Sequence, residues 1–579
     1  MRVDTSTEER WAALWEILTA PVFKVLYNAQ LAMLPLVHTF HRLGRNACEI
    51  RMLLDVRHAT YVLSRDGTDG QLELNTILGG SAGVGGGGEA FSPKGPAAGG
   101  SSTGKVARTF GSLHRQLARI VPLMSILQTK LANWMAFVDV EMRMTVLLAC
   151  LEDRGISSDD KAMGALEEKI NHAIQKLVAA AGQLMAAAGH GPFNLASPEQ
   201  CSHAFYDLLH LPSPAKTSAK GKHLSTSETD LSRIVDSHPI VQMVLDFRSL
   251  MKTKSTFLEG GKNFYRCEDA DETADTDAAA TAQRACDKTW RVHAQWNLNS
   301  TRTSRLSCCK PNVQQYPKFF TCAGIDINIR AFFKPAAGKV MVAADYSQIE
   351  VRVLAHFCRD SRLCQVFTSG LASGGQNDIY MLMASMLFPN SRIGDEERKR
   401  AKVLCIATLY GLGAEKMSAD LGVSRGDASK LQAAFFSTFP GIKDWMGQAK
   451  EKARQSGHSY TLLGFARALP DLHSADSNKR AQADRQCVNS IVQGSAADII
   501  KVAMLALDDI LASQGWKGPR LLLTVHDELI FEVPTGEVDA FVALLHQVMT
   551  LHVQKYFNLL VPLCINIEVG PDWGNLKKI

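Results

Sequence analysis

Residues 521–533 read LLLTVHDELIFEV, two apolar strand-forming runs with His526, Asp527 and Glu528 set between them. This stretch constrains the fold more than any other, because burying an ionised carboxylate without a partner is costly. Gly518, Pro519 and Pro534 bound the runs, so the pattern predicts a β-hairpin. Tight hairpin turns usually carry Gly or Asn, since they need positive φ. A His-Asp-Glu tip is therefore either a plain solvated end or a mount for an acid that has a function, as strand-end loops often provide.

A chain of 579 residues has room for about three or four domains at the usual ~150 residues each. With 46% hydrophobic and 21% charged residues it reads as a soluble globular protein. No uninterrupted apolar run approaches the ~20 residues of a membrane helix, so no membrane partner is expected. The 13 cysteines are scattered, with Cys308 and Cys309 adjacent and no zinc spacing, which fits a reducing compartment. The N-terminal MRVDTSTEERW has neither an apolar signal core nor an Arg-rich presequence and gives no address. A net charge of +5 permits nucleic-acid binding without demanding it. Local basic clusters, SAKGKH at 218–223 and KTK at 252–254, matter more.

Residues 79–104 are Gly/Ser/Pro-rich and read as a flexible insertion. From 106 to 190 the pattern is helical, with EMRMTVLLACLEDRG and KINHAIQKLVAAAGQLMAAAG ending at glycines. The acidic, Ala/Thr-rich stretch 266–288 reads as a second exposed insertion. Beyond 290 α and β signals mix to the end.

Three further segments bear on chemistry. KVMVAADYSQIEVRVLAHF (339–357) starts as a strand, places Asp345 near its end and continues as a helix with Ile349 and Val353 on one side. Asp345 is then either a metal ligand at a cleft or a helix N-cap. In ERKRAKVLCIATLYGLG (397–413), Arg398, Lys402, Ile406 and Tyr410 recur every fourth residue and form a stripe roughly 18 Å long on one helix face. Two cations followed by an apolar and an aromatic residue suit a nucleotide; the alternative is a solvated basic turn leading into a core face. In ADRQCVNSIVQGSAADII (483–500), Arg485, Asn489 and Gln493 share a face, while Val488, Ile491, Val492 and Ala496 point elsewhere. Such a polar stripe can bond purine N3 and pyrimidine O2, the minor-groove acceptors that every base pair presents.

In this order, these segments resemble motifs A, B and C of the family A DNA polymerases: DYSQIEVR, RKRAKVLCIATLYG and VHDE. TSRLSCCKPNVQQYP (303–317) is similar to the family's TGRLSS…PNLQNIP, and DFRSLMKTKST (246–256) looks like its thumb helix. FNLASPEQ at 193 and PDW at 571 extend the resemblance over roughly 190–579. The resemblance implies a mixed α/β (α+β) right-hand polymerase of palm, fingers and thumb, plus a degenerate ribonuclease H-like 3′–5′ exonuclease-like domain. The implied boundaries are 1–150 for the exonuclease-like part, 151–300 for the thumb with its insertion at about 260–289, and 301–579 for palm and fingers, the fingers at about 370–480.

It also implies template-directed addition of deoxynucleotides to a primer 3′-hydroxyl by a monomeric enzyme using two Mg²⁺ ions. Asp345, Tyr346 and Asp527 would hold the metals, and Glu528 would be a supporting acid. Arg398 and Lys402 would neutralise the triphosphate, with Lys402 placed to protonate the leaving pyrophosphate. Ile406, Tyr410, Gln348, Glu350 and Tyr380 complete the implied nucleotide site, Glu350 as the gate against a ribose 2′-hydroxyl. Arg305, Asn312, Gln315, Arg485, Asn489, Gln493 and His526 would contact primer-template DNA, and Lys252 and Lys254 its phosphates.

Departures from the family pattern are informative. Ile406 and Ala407 stand where Phe or Tyr and then Gly are usual, and Tyr380 stands where bacterial members have His. In KVLYNAQLAM (24–33), Ala32 falls at the place of an exonuclease metal ligand, the upstream acid pair is missing, and DVRHATYVLS (55–64) keeps only scaffold. These features point to a non-proofreading enzyme of the theta/nu branch, working in repair or lesion bypass in the nucleus, with the mitochondrion as the alternative location. KTKST is closer to bacterial members. The other readings are a general or organellar repair polymerase, or an inactive DNA-binding scaffold. An aliphatic residue at 406 removes ring packing against sugar and base, so Ile406→Tyr is expected to raise dideoxynucleotide incorporation in a chain-termination assay. Unchanged incorporation would remove this account of the position.

Overall fold

The runs on either side of His526 and the run that leads to Asp345 fold into one antiparallel sheet. Its strands are β1 (Lys339–Tyr346), β2 (Arg520–Val525), β3 (Glu528–Pro534), β4 (Ile565–Gly570) and β5 (Lys577–Lys578), in spatial order β2-β3-β1-β4-β5. β1 is central and pairs with β3 on one side and β4 on the other. Met341, Val342, Ala343 and Ala344 are accordingly all buried, a continuous apolar run rather than an alternating one, because the middle of the sheet is covered.

In the computed structural model of the chain, the described residues are 133–213, 223–262, 265–268, 289–298, 300–369, 378–389 and 391–579, with the backbone strands Lys24–Leu26 and Leu53–Asp55, which pair in parallel. Ala32, the Gly-rich 79–104, the expected helix of 106–132 and the tip of the acidic insertion, 269–288, lie outside them, and Asp55 is described by its backbone alone.

Four helices carry further candidate residues: α1 (Ile349–Cys358), α2 (Ile379–Leu387), α3 (Asp395–Leu409) and α4 (Ser477–Ser513). α4 is long and apolar enough to cross a bilayer, but 83% of its most apolar window is buried inside the protein, as in a core helix. Ile499, Ala503 and Met504 of α4 share one core with Leu529 and Phe531 of β3 and with Phe541 and Leu545 of the helix Val538–His546. A separate small core, built from Met185, Phe205, Leu231, Ile240 and Val244, joins the helices Asp160–Ala187 and Pro239–Lys252. Asp159 caps the first of these by accepting the Ala162 amide at 2.9 Å.

Two expected boundaries shift. Position 150 falls inside the single helix Arg143–Arg154, whose Leu147, Leu148 and Leu151 belong to the main core and whose Arg154 donates to the Leu521 carbonyl. A helix is one cooperative element, so it cannot be split between two units there. The acidic stretch expected as an insertion from 266 begins within a strand, Tyr265–Glu268, paired antiparallel with Thr289–Val292.

The main core also holds charge. Lys501 Nζ of α4 donates to Glu141 Oε1 at 2.6 Å, with both side chains at 1% exposure or less. Removing one partner of such a pair strands the other charge in the core. Lys501→Met is expected to lower unfolding free energy by about 3–5 kcal/mol, and Lys501→Met with Glu141→Leu to recover most of it. Chemical denaturation of the three proteins checks this, and equal stability of single and double variants would contradict it.

Candidate functional site

The hairpin tip is built as the apolar runs require, with an unexpected residue in the strained position. Val525 pairs with Glu528, leaving His526 and Asp527 as the turn. His526 takes φ 56, the left-handed region that a hairpin turn needs and a non-glycine residue enters at a cost of roughly 1–2 kcal/mol. That strain persists because both strands are fixed in the sheet, and it holds Asp527 beside β1: the Tyr346 amide donates to the Asp527 carbonyl at 3.2 Å. In the β1–β3 register, Asp345 lies opposite Glu528. Three acids from two distant stretches thus meet at one end of the sheet.

The N-cap alternative for Asp345 falls away. Asp345 is part of β1, and the N-cap of α1 is Gln348, in the left-handed conformation at φ 47. The Ser347 hydroxyl donates to the Gln348 side chain. The Tyr346 ring is turned into the core with its hydroxyl donating to the Met549 carbonyl at 2.7 Å, so any part it takes in holding a metal falls to its main chain.

The Asp345 side chain is solvent-exposed at the end of β1, yet partial desolvation, then the charges of Glu528 and Asp527, push its carboxyl up to about 7. Desolvation also raises Asp527 and Glu528, against the pull of Arg305 on the first and of Arg330 and Lys318 on the second. Asp527 Oδ1 is buried with no hydrogen-bond donor, and the nearest cation, Arg305 Nη2, is 3.8 Å away. An orphaned carboxylate oxygen among acids of raised pKa is the environment a divalent cation relieves. Among the described residues no group of three His, Cys, Asp or Glu side chains is arranged to hold a metal ion by itself. An open pair of carboxylates suits Mg²⁺, which is commonly held by one or two carboxylates together with substrate phosphates.

α3 sorts its residues as the fourfold spacing predicts. Ala401, Leu404, Cys405, Ala407, Thr408 and Leu409 are buried, whereas Arg398, Ile406 and Tyr410 are part-exposed and Lys402 is exposed. The stripe is therefore an accessible face and not a core face. Arg398 Nε donates to Asp378 Oδ2, and the Lys402 ammonium lies 5.9 Å from the centre of the Tyr380 ring. Tyr410 donates its hydroxyl to Glu350 Oε2 at 3.2 Å, and Arg305 pairs with Glu350 Oε1. Burial raises the Glu350 carboxyl despite Arg305.

On α4, Arg485 is exposed and Asn489 and Gln493 are half-buried, while Val488, Ile491, Val492 and Ala496 are buried. Gly411, at φ 60, lets the turn after α3 reach this stripe, since a Cβ there would lie 2.7 Å from Arg485 Cγ. Asn312 accepts from Cys308 Sγ at 3.3 Å, and Gln315 is exposed at the end of the short helix Val313–Gln315. His526 is exposed at the hairpin tip, and partial desolvation of its ring, then the charges of Arg305 and Arg330, lower its pKa. Lys252 is exposed at the end of its helix, and Lys254 pairs with Glu259 at 3.4 Å.

Four residues that sequence reasoning passed over help hold this arrangement. Gln314 donates to the Thr524 carbonyl at 3.2 Å, tying the 312–315 loop to β2. Arg352 is buried, donating to the Ser347 carbonyl at 2.8 Å and the Pro562 carbonyl at 2.5 Å, and so fixes the start of α1 against the chain entering β4. Arg330 stacks 4.5 Å from the Trp573 ring centre and faces Glu528. Asp378 caps α2 and holds Arg398. Only the cap had a sequence signal, an Asp just before an apolar helix.

Comparison with known proteins agrees with this geometry. The model of DNA polymerase family A matches residues 160–575. The chain is 34% identical over 442 residues to the thermostable DNA polymerase I of Thermus aquaticus, and 33% identical over 446 residues to DNA polymerase I of Geobacillus stearothermophilus. These alignments cover 76% of this chain but 48% and 46% of the relatives, so the chain spans about half their length. Its structure is similar to the POL domain of Pol1 from M. smegmatis in complex with DNA primer-template and dNTP, with TM-score 0.78 and 27% identity over 99% of this chain and 90% of that one. The family match runs through the hairpin tip, the strand of Asp345 and both helix stripes, and the chain belongs to DNA polymerase family A.

Proposed function

We propose that this chain is a template-directed DNA polymerase that extends a primer 3′-hydroxyl with deoxynucleotides and acts as a monomer. The observation that carries the reading is the meeting of Asp345 and Asp527 at one end of the sheet, where Asp527 Oδ1 has no donor. Asp345, Asp527 and the Tyr346 carbonyl would hold two Mg²⁺ ions, which when bound acidify the primer hydroxyl and stabilise the phosphoryl transition state.

The protein's own side chains then divide the rest of the work. Arg398 and Lys402 bind the triphosphate, and Lys402 supplies a proton to the departing pyrophosphate. Glu350, fixed between Arg305 and Tyr410, crowds the sugar 2′ position. Arg485, Asn489 and Gln493 test the shape of the newly formed pair from the minor groove without reading sequence. The proposal keeps the thumb, palm and fingers at the boundaries that the resemblance implies, with the first boundary moved off position 150, which lies inside a helix.

A repair or lesion-bypass role without proofreading is the finer part of the proposal. Its support is Ile406, Ala407 and Tyr380 in the nucleotide site and Ala32 at a ligand place in the N-terminal region. Placement in the theta/nu branch rests on these positions alone, since the relatives compared above are bacterial polymerase I enzymes.

Purified protein is expected to extend a primed template only with divalent metal, and Asp345→Asn to reduce extension by roughly 10³-fold with its melting temperature unchanged. A folded wild type that binds DNA without extending it would leave an inactive scaffold. A mismatched primer end should survive in the same reactions; its removal would defeat the non-proofreading part alone.

A further inference from the structure

Asp378 belongs to none of the three motifs, yet its carboxylate makes two unlike sets of bonds. Oδ1 accepts the amides of Tyr380 at 2.9 Å and Met381 at 3.4 Å, capping α2. Oδ2 accepts Arg398 Nε from α3. The simplest account is a staple between helices, but α2 and α3 are already joined through Met383, Ala384, Leu387, Ala401, Leu404 and Cys405 in the main core. Both partners of the ion pair are more than one-third exposed, where such a pair adds little to stability.

What the pair does is fix direction. An arginine has five N–H donors in a planar fork, and here the inner one, Nε–H, is the donor to Asp378. The two terminal NH₂ groups are then carried at a set angle on the accessible stripe that continues to Lys402. The neighbouring residue on the same helix start, Tyr380, places its ring beside the Lys402 ammonium. The first turn of α2 thus engages both cations of the stripe.

We infer that Asp378 is a positioning residue for triphosphate recognition, holding Arg398 by its inner nitrogen so that the terminal fork is ready for the phosphate oxygens. Without that anchor a long, flexible side chain must be ordered when the nucleotide binds, and the entropy lost reduces affinity. The inference rests on the nucleotide-binding reading of α3.

Asp378→Asn separates the two roles. Asparagine keeps an oxygen for the amides of Tyr380 and Met381 and caps a helix as well as aspartate does, but it sets an NH₂ group against Arg398 Nε–H. The test is the dissociation constant of dATP for the full chain on a primer-template whose primer ends in a dideoxynucleotide, so that no extension occurs. Asp378→Asn should weaken dATP on the order of tenfold, leave dAMP binding and the melting temperature unchanged, and have no further effect once Arg398→Met is present. Asp378→Ala should weaken dATP equally and also lower the melting temperature by loss of the cap.

Unchanged or tighter dATP binding in Asp378→Asn would overturn the inference, as would losses that add to those of Arg398→Met. A wild type that binds no dATP would overturn it too. A wild type that binds dATP in this pattern but extends no primer would refute the polymerase reading and leave this one standing.

Discussion

The pairing of β1 with β3 is the constraint on which the rest depends. It sets Asp345 opposite Glu528, and the Tyr346 amide bond to the Asp527 carbonyl brings the turn alongside. A slip of one residue would turn every side chain of β1 to the other covered face, setting Met341 and Ala343 against packing partners of the wrong shape and carrying Asp345 away from Glu528. The apolar content of the two strands therefore fixes the place of the acids. The energy comes from burial, and the chemistry uses the end of the sheet that burial leaves over.

Around that sheet, buried charges orient the elements that carry the remaining site. Arg352 ties α1 to the approach to β4. Lys501 and Glu141 join α4 to the segment before the Arg143–Arg154 helix, and Asp498 of α4 accepts the Leu463 amide at 2.9 Å. Apolar contacts alone would let a 37-residue helix rotate or slide by small amounts. Directional bonds in a low-dielectric interior resist both motions and hold the face bearing Arg485, Asn489 and Gln493 in place. These bonds explain how so much ionisable chemistry is tolerated inside the core.

The candidate site is electrostatically paired before any substrate arrives. Arg305 lies between Glu350 and Asp527, Arg398 is held by Asp378, and Tyr410 donates to Glu350. Asp378 holds only the inner nitrogen of Arg398, so the terminal NH₂ groups of its guanidinium stay available to a phosphate. Asp527 Oδ1 is the exception to this pairing, since it is buried and has no donor.

Much of this was legible in the sequence. The hairpin, the strand of Asp345, and the faces of α3 and α4 follow from periodicity, because a helix or strand repeats its geometry over each short window and burial selects one side. The motifs and their order carried the resemblance to the family. The strained φ of His526 was not legible, since only the finished sheet makes the turn tight enough to demand it. Nor were Asp378 with Arg398, Gln314 with Thr524, or Lys501 with Glu141, which are 20, 210 and 360 residues apart. Nor was the core that the helix through position 150 joins, because nothing local marks it. The sequence by itself determined which faces are apolar and which residues could act, a matter of local repeat. Only the tertiary structure decided which of those residues meet, because pairing between distant segments depends on register and packing that no short window contains.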